Sequence, residues 1–335
     1  MLTMLALSGR WRSTVLCLGL AIFCLGVTAC GSNDSTVGKS ALSSAAQEFS
    51  VQSGAATLYA RTIGGYEGSD ALVLLHGGPG ISCEYMATFD RLASPTLRLV
   101  TYDQQGVGQS PATASFGYTA NEYVADLEAV RASLGVERIH ILGHSWGGFL
   151  ALAYVTAHPD HVASLTLVDG MPPTGASFQA GEKLFLMGIA SLQAEKIIPN
   201  PLPPPKGDDC GPPLAAYLPV YFYDPAFVPP PELVASQCNA KAMDTTFGRL
   251  GNYDLNAQLR AVTAPVFVLF GAADPFGAQW QKDLVSAFSA AQPEQAIIPK
   301  SGHFPWLEQP EPSFAKLTDF LTRRAHLTVG TPKGS

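Results

Sequence analysis

Charge is what this chain has least of. Only 14% of its 335 residues are Asp, Glu, Lys or Arg, against roughly 25% in an average soluble domain. Positive charge is the scarcer sign, with 20 Lys and Arg against 27 Asp and Glu and a formal net charge of -7. No basic run occurs anywhere. Binding through a phosphate backbone needs a basic patch or stripe, so nucleic acid is excluded as a partner. No Cys/His spacing resembles a zinc site, and Cys83 has no nearby His in the sequence, so neither a metal nor thiol chemistry is expected. Internal repeats are missing too. What is abundant is apolar residues, 47% of the chain. About 300 residues bury roughly three quarters of the unfolded surface, which allows one large or two ordinary domains.

The N-terminus orders its residues as Arg10 and Arg12, then the apolar run Val15 to Val27, then small residues up to Cys30. That is the order of an export signal. A run of this length makes about 20 Å of helix, short of the roughly 30 Å hydrocarbon core, which disfavours a spanning helix. Val27-Thr28-Ala29-Cys30 resembles the lipobox of bacterial lipoproteins; an ordinary signal that ends in Cys is the alternative. The resemblance implies a signal peptide at residues 1–29, lipid attachment at Cys30, and an exported lipoprotein of the cell envelope, anchored to a membrane surface on its periplasmic or extracellular side. Residues 30–47, rich in Ser, Ala and Gly, read as a flexible tether. Setting aside Cys17, Cys24 and Cys30 leaves Cys83, Cys210 and Cys238 in an oxidising compartment. Cys210 and Cys238 can pair, with Cys83 the odd thiol, although spacing alone proves no bridge.

From residue 71 onward, short apolar runs alternate with amphipathic stretches, the pattern of βαβ units and a mostly parallel sheet flanked by helices. Strands are predicted at Ala71 to Leu75, Leu97 to Tyr102, Arg138 to Leu142, Ser164 to Val168, Pro265 to Phe270 and Gln295 to Ile298, with antiparallel edge strands from Glu48 to Arg61. Tyr123, Val124, Leu127, Val130 and Leu134 recur at helical spacing behind the capping-box pair Thr119 and Glu122. The alternation stops near Met171 and resumes near Ala264. Pro199 to Pro231 holds twelve prolines, which bars a long helix or central strand there. The expected organisation is a core of residues 48–170 and 264–325 with a cap or lid inserted at 171–263. The apolar Leu214, Tyr217, Leu218, Val220, Tyr221, Phe222, Tyr223 and Phe227 argue against a disordered linker.

Gly143-His144-Ser145-Trp146-Gly147 matches G-x-S-x-G between a predicted strand and a predicted helix, the context that makes Ser145 a nucleophile candidate. A serine hydroxyl needs a base oriented by an acid. His303, after the strand Gln295 to Ile298, is the candidate base. Asp274, after the strand Pro265 to Phe270, is the candidate acid, with Asp169 at the end of Ser164 to Val168 as its rival. All lie at carboxyl ends of parallel strands, where open sheets bind ligands. The backbone N–H groups of Trp146 and of Gly78, in His76-Gly77-Gly78-Pro79-Gly80, are the candidate oxyanion hole. His76 reads as steadying that loop, and His140, His144, His158 and His161 as structural.

Together with Tyr102-Asp103-Gln104-Gln105-Gly106-Val107-Gly108-Gln109-Ser110 and Gly271-Ala272-Ala273-Asp274, these motifs resemble the α/β-hydrolase superfamily and, within it, the proline iminopeptidases. The resemblance covers roughly Leu72 to Leu321. It implies an α/β-hydrolase fold, a Ser145, Asp274, His303 hydrolase without a cofactor, and release of an N-terminal proline or small residue from a peptide. Gln105 stands where the family usually has Arg. The tryptophan-rich cap motif whose glutamates hold the substrate's amino group is not found between Met171 and Arg260, and Glu182, Glu195, Asp224, Glu232 and Asp244 read as solvated charges. The same machinery acting on esters, lactones or other small acyl compounds is therefore the alternative, and a non-catalytic binding protein a third reading. The oligomeric state is not legible.

Overall fold

Apolar alternation with period two, buried on both faces, builds the sheet at the centre of the molecule. In β3 (Asp70–Leu75) Ala71, Val73 and Leu75 face one apolar layer, while Leu72 and Leu74 face the other. β7 (Val266–Gly271) repeats this, with Val266, Val268 and Phe270 opposite Phe267 and Leu269. Each such side chain, fully withdrawn from water, contributes roughly 1.5–3 kcal/mol of transfer free energy. A charge at Val73 would break both the strand and the layer beneath it.

The computed structural model describes residues 45–65 and 69–324. The expected signal peptide 1–29, Cys30, most of the tether and residue 325 lie outside them. Strand β1 already starts at Gln47, so the last residue of the expected tether belongs to the sheet. Eight strands run in the order β1-β2-β4-β3-β5-β6-β7-β8, with β1 at Gln47–Ser53, β2 at Ala56–Ile63, β4 at Leu97–Tyr102, β5 at Ile139–His144, β6 at Val162–Val168 and β8 at Glu294–Ile298. β1 and β2 form the antiparallel edge, β2 joins β4 antiparallel, and all remaining pairs are parallel.

Helices cover both faces. On one lie α1 (Ala120–Ser133), α2 (Trp146–Ala157) and α8 (Ala278–Ala287). The Thr119 and Glu122 capping box opens α1, which buries Tyr123, Val124, Leu127 and Val130. On the other lie a 3-10 segment, Cys83–Leu92, and α10 (Pro310–Arg324), joined through Tyr85, Phe89, Trp306 and Phe314.

Between β6 and β7 the chain forms no strand. It runs through α3 (Gly175–Ala194), α4 (Gly211–Tyr217), α5 (Pro231–Ala235), α6 (Ala240–Leu250) and α7 (Asn256–Leu259). Thr174 caps α3 by accepting the Ser177 N–H. In the proline-rich stretch no helix exceeds the seven residues of α4, because proline lacks the N–H that would continue the ladder. Cys210 and Cys238 are bridged, and Cys83 is a buried free thiol. No helix among the described residues is long and apolar enough to cross a membrane. The loops leaving the carboxyl ends of β3, β5, β6, β7 and β8 meet at one end of the sheet, beneath this inserted segment.

Candidate active site

Ser145 occupies the turn from β5 into α2 with φ 54° and ψ -119°, a region that costs a non-glycine residue of order 1–3 kcal/mol. The surroundings hold it there. Its N–H donates to Val168 O at 3.2 Å, and its carbonyl accepts from Gly148 N and Met171 N at 2.9 Å each. The turn closes this tightly because Gly143 and Gly147 carry no side chain: a Cβ on Gly143 would strike the Gly147 carbonyl, and one on Gly147 the Leu75 carbonyl. The side chain of Ser145 remains partly exposed, facing a cavity of about 480 Å³.

His303, in the loop after β8, lines the same cavity and is buried. Its Nδ1 lies 2.7 Å from Asp274 Oδ2. A ring nitrogen facing a carboxylate carries the proton, which in the neutral ring leaves Nε2 as the basic atom. Nε2 has no hydrogen-bond partner among the described residues. Asp274 is itself oriented, its Oδ1 accepting from Phe276 N at 2.7 Å. Asp169 is fully buried at the end of β6 but does not take the histidine's Nδ1; its Oδ1 accepts from Gly271 N at 2.9 Å. Of the two carboxylates considered from sequence, Asp274 is the one hydrogen-bonded to His303.

The loop after β3 reaches the same point. Gly78 has φ 54°, a conformation glycine adopts without penalty, and its N–H has no partner among the described residues. Trp146 opens α2, where the first N–H groups have no intrahelical acceptor. Two backbone donors are thus available beside Ser145, at a helix N-terminus whose partial positive charge favours a developing oxyanion.

Gln104, His76, Tyr85 and His144 lock these loops together; His76 steadies its loop as expected and His144 is structural as expected, whereas Gln104 and Tyr85 were assigned no such role from sequence. Gln104 donates its N–H to His76 Nε2 and its amide to His76 O, both at 3.1 Å, and accepts the Trp146 indole N–H at 2.7 Å. His76 is a buried acceptor, and its burial lowers its pKa to about 4. Tyr85 accepts the Gly77 N–H and donates to His144 Nδ1 at 2.8 Å, while His144 Nε2 donates to the His303 carbonyl at 3.0 Å. This chain joins the Gly77-Gly78 loop to the histidine loop. It fixes the neutral tautomer of His144, whose burial holds its pKa well below the usual value. Gln104 lies within the motif of residues 102–110, whereas nothing in sequence spacing marks Tyr85.

Gln105 is buried and bridges Asp126 Oδ2 at 3.2 Å and Thr113 N at 3.0 Å. It supports the loop with a neutral amide where the family's arginine would bring a charge. Cys83 stands beside Asp103, and burial with that neighbouring charge pushes its thiol far up, away from a reactive thiolate. Two trios of ligand-type side chains occur among the described residues: Asp169, Asp274 and His303, and Glu128, His158 and His161. The first is committed to the contacts above. In the second, Glu128 is already held by Arg131 and by the Tyr154 hydroxyl.

The cavity walls are aromatic and aliphatic, among them Phe178, Phe185, Tyr217, Tyr221, Phe247 and Phe276. Two carboxylates, Glu182 of α3 and Asp244 of α6, reach the lining and are exposed. Glu195, Asp224 and Glu232 do not line it. No Lys or Arg is among the lining residues. The aromatic run from Tyr221 divides: Tyr221 lines the cavity beside the His303 ring, Phe222 packs on Phe304, and Tyr223 is exposed.

Residues 70–310 match the family model for the alpha/beta hydrolase fold. A proline iminopeptidase of Levilactobacillus brevis is 30% identical over 274 residues, covering 77% of this chain and 90% of the relative. One from Lactobacillus delbrueckii subsp. bulgaricus is 44% identical over 114 residues, which spans 32% of this chain and only 39% of that relative. The crystal structure of a proline iminopeptidase from Mycobacterium smegmatis superimposes with a TM-score of 0.64 at 22% identity, over 83% of this chain and 99% of that one. With the strand order, the serine turn and the histidine loop in place, the chain belongs to the α/β-hydrolase family of enzymes and is proline iminopeptidase-like within it.

Proposed function

We propose that the protein is a serine hydrolase that releases the N-terminal residue of a small peptide through an acyl-enzyme. The observation that carries the reaction is His303, its Nδ1 held by Asp274 and its Nε2 free, in the cavity that Ser145 faces. Ser145 Oγ attacks the acyl carbon while its proton passes to His303 Nε2, and Asp274 stabilises the imidazolium. The Gly78 and Trp146 N–H groups receive the oxyanion; a donor of this kind is worth about 2.7–4 kcal/mol of transition-state stabilisation. The tetrahedral intermediate collapses by breaking the bond to the leaving amine, which takes the proton from His303. Water then attacks the Ser145 ester with the same histidine as base, and the carboxylic acid leaves.

Glu182 and Asp244 support the peptide reading. A cavity whose lining holds two carboxylates and no Lys or Arg attracts a substrate's ammonium group and disfavours an anionic one. The size and apolar character of the cavity favour the second reading, hydrolysis of an ester with a bulky acyl group. Assaying the purified enzyme side by side on a proline arylamide and a short-chain aryl ester decides between them. Cleavage of the arylamide is expected, and turnover of the ester alone would remove the peptidase assignment. Export and lipid attachment at Cys30 are part of the same proposal. Labelling with a fatty-acid probe, lost in Cys30→Ser, tests them; an unlabelled wild-type chain would refute the anchor.

A further inference from the structure

Asp169 is a buried carboxyl that the reaction does not consume, and its surroundings are unusual. It lies at the carboxyl end of β6 with φ 43° and no exposed surface. One oxygen accepts the Gly271 N–H, while the other, Oδ2, meets no donor among the described residues. A carboxylate oxygen of Asp169, one of Asp274 and a ring nitrogen of His303 lie within 4.8 Å of one another. Two carboxylates this close in a buried site resist ionising together, which favours one of them keeping its proton. Asp274 has the better claim to the negative charge, because it accepts two N–H donors, from Phe276 and His303, against one for Asp169. A proton on Asp169 Oδ2 also resolves its orphaned position, since the oxygen then donates where as a carboxylate it had nothing to accept.

Resting on the triad reading, we propose that Asp169 is a positioning residue: a neutral carboxylic acid that donates its proton to Asp274, so that the acid behind His303 is a carboxyl–carboxylate pair bearing one charge. The Asp169 pKa is raised well above the usual carboxylate range, first by burial and then by the charge of Asp274. The ionisable groups facing it are Asp274 from the loop after β7, His303 from the loop after β8, and Glu308 of α9 (Pro305–Glu308), which accepts the Gly302 N–H. None supplies a permanent cation that would pull the proton off. The hydrogen bond gives Asp274 a third donor and fixes the carboxylate that orients His303, and the single shared charge avoids repulsion within the site.

Infrared difference spectra between the wild-type enzyme and Asp169→Asn at neutral pH test this directly. The wild type should show the carbonyl stretch of a protonated carboxylic acid that the variant lacks; its absence in the wild type would overturn the proposal. Kinetics supply a second reading. Asn keeps both a donor toward Asp274 and an acceptor for Gly271, so Asp169→Asn should hold kcat within about threefold, while Asp169→Leu, with neither, should lower kcat about tenfold at unchanged KM. A loss in Asp169→Asn as deep as in Asp274→Asn would make Asp169 an ionised acid and refute the assignment. Equal losses in Asp169→Asn and Asp169→Leu would reduce it to a structural residue and also refute it. The infrared band is independent of substrate, so it stands or falls separately from the peptidase reading.

Discussion

The sheet end and the segment between β6 and β7 build one cavity by opposite means. At the sheet end, each group proposed to take part in the reaction is tied by backbone bonds: Ser145 by three, Asp274 through Phe276 N, and His303 through its own N–H to Tyr221 O at 2.7 Å. Asp103 anchors the neighbouring loop by accepting the N–H groups of Cys83 and Gln109, both at 2.8 Å. The inserted segment instead uses the 20-residue α3, four shorter helices, prolines and one disulfide, and leaves Leu186, Met187 and Val234 more than half exposed. Rigid positioning goes with bond making, where an ångström of misplacement costs about a hundredfold in rate. A looser wall goes with choosing the substrate. Tyr221 is where the two meet, since its carbonyl holds the histidine loop and its ring lines the cavity.

The deepest losses are expected at the sheet end. Ser145→Ala should lower kcat about a millionfold and abolish labelling by a fluorophosphonate probe, with circular dichroism unchanged. Residual turnover within tenfold of wild type would remove the nucleophile. Asp274→Asn should cost about four orders of magnitude in kcat, because the amide no longer holds the histidine's proton on Nδ1. Loss through KM rather than kcat would break the contrast, placing Asp274 with the selecting wall.

The disulfide gives an intermediate effect on the other side. Cys210 and Cys238 are 28 residues apart, and closing such a loop is worth about 3–4 kcal/mol in the chain-entropy account. Replacing both cysteines with serine should raise hydrogen exchange in α4, α5 and α6 and raise KM, while amides of β3, β5 and β7 keep their protection. Exchange that rises equally in the sheet would mean that the two regions unfold as one unit.

The same division explains what was legible in the sequence. The strands could be read because a sheet buried on both faces imposes continuous apolar runs, and the serine turn because only glycine fits at 143 and 147. Asp274 and His303 were findable from their positions after strands, a consequence of parallel topology. The lining of the cavity was not. Glu182 and Asp244 are spaced like any exposed helical charge, and only the approach of α3 and α6, which meet through Phe178 and Phe247, brings both to the cavity lining. The lock formed by Tyr85 and His144 was hidden for a similar reason: its members are 59 residues apart and share no pattern. Residues that act through local geometry leave a motif, and residues that act through tertiary approach leave none.

The smallest predicted effect bears most on the substrate. Exposed ion pairs contribute about 0.2–1 kcal/mol, so Glu182→Gln or Asp244→Asn alone should raise KM for an amine-bearing substrate only severalfold, with kcat unchanged. Both together, in a cavity with no Lys or Arg in its lining, should approach tenfold. The sign of the pH effect follows from the ligand. A free α-amino group has a pKa of about 7.7–8.0, so attraction to the mouth is present below that value and is lost as pH rises through it. KM for the proline arylamide should therefore climb above about pH 8 in the wild type and stay flat in the double variant, whereas added salt should erase the difference by screening. An N-acetylated arylamide or a neutral ester has no ammonium to lose and should show neither trend. If the ester's KM responds to these two substitutions as strongly as the arylamide's, the carboxylates shape the wall instead of reading charge, and the sheet end alone would carry what is specific about this enzyme.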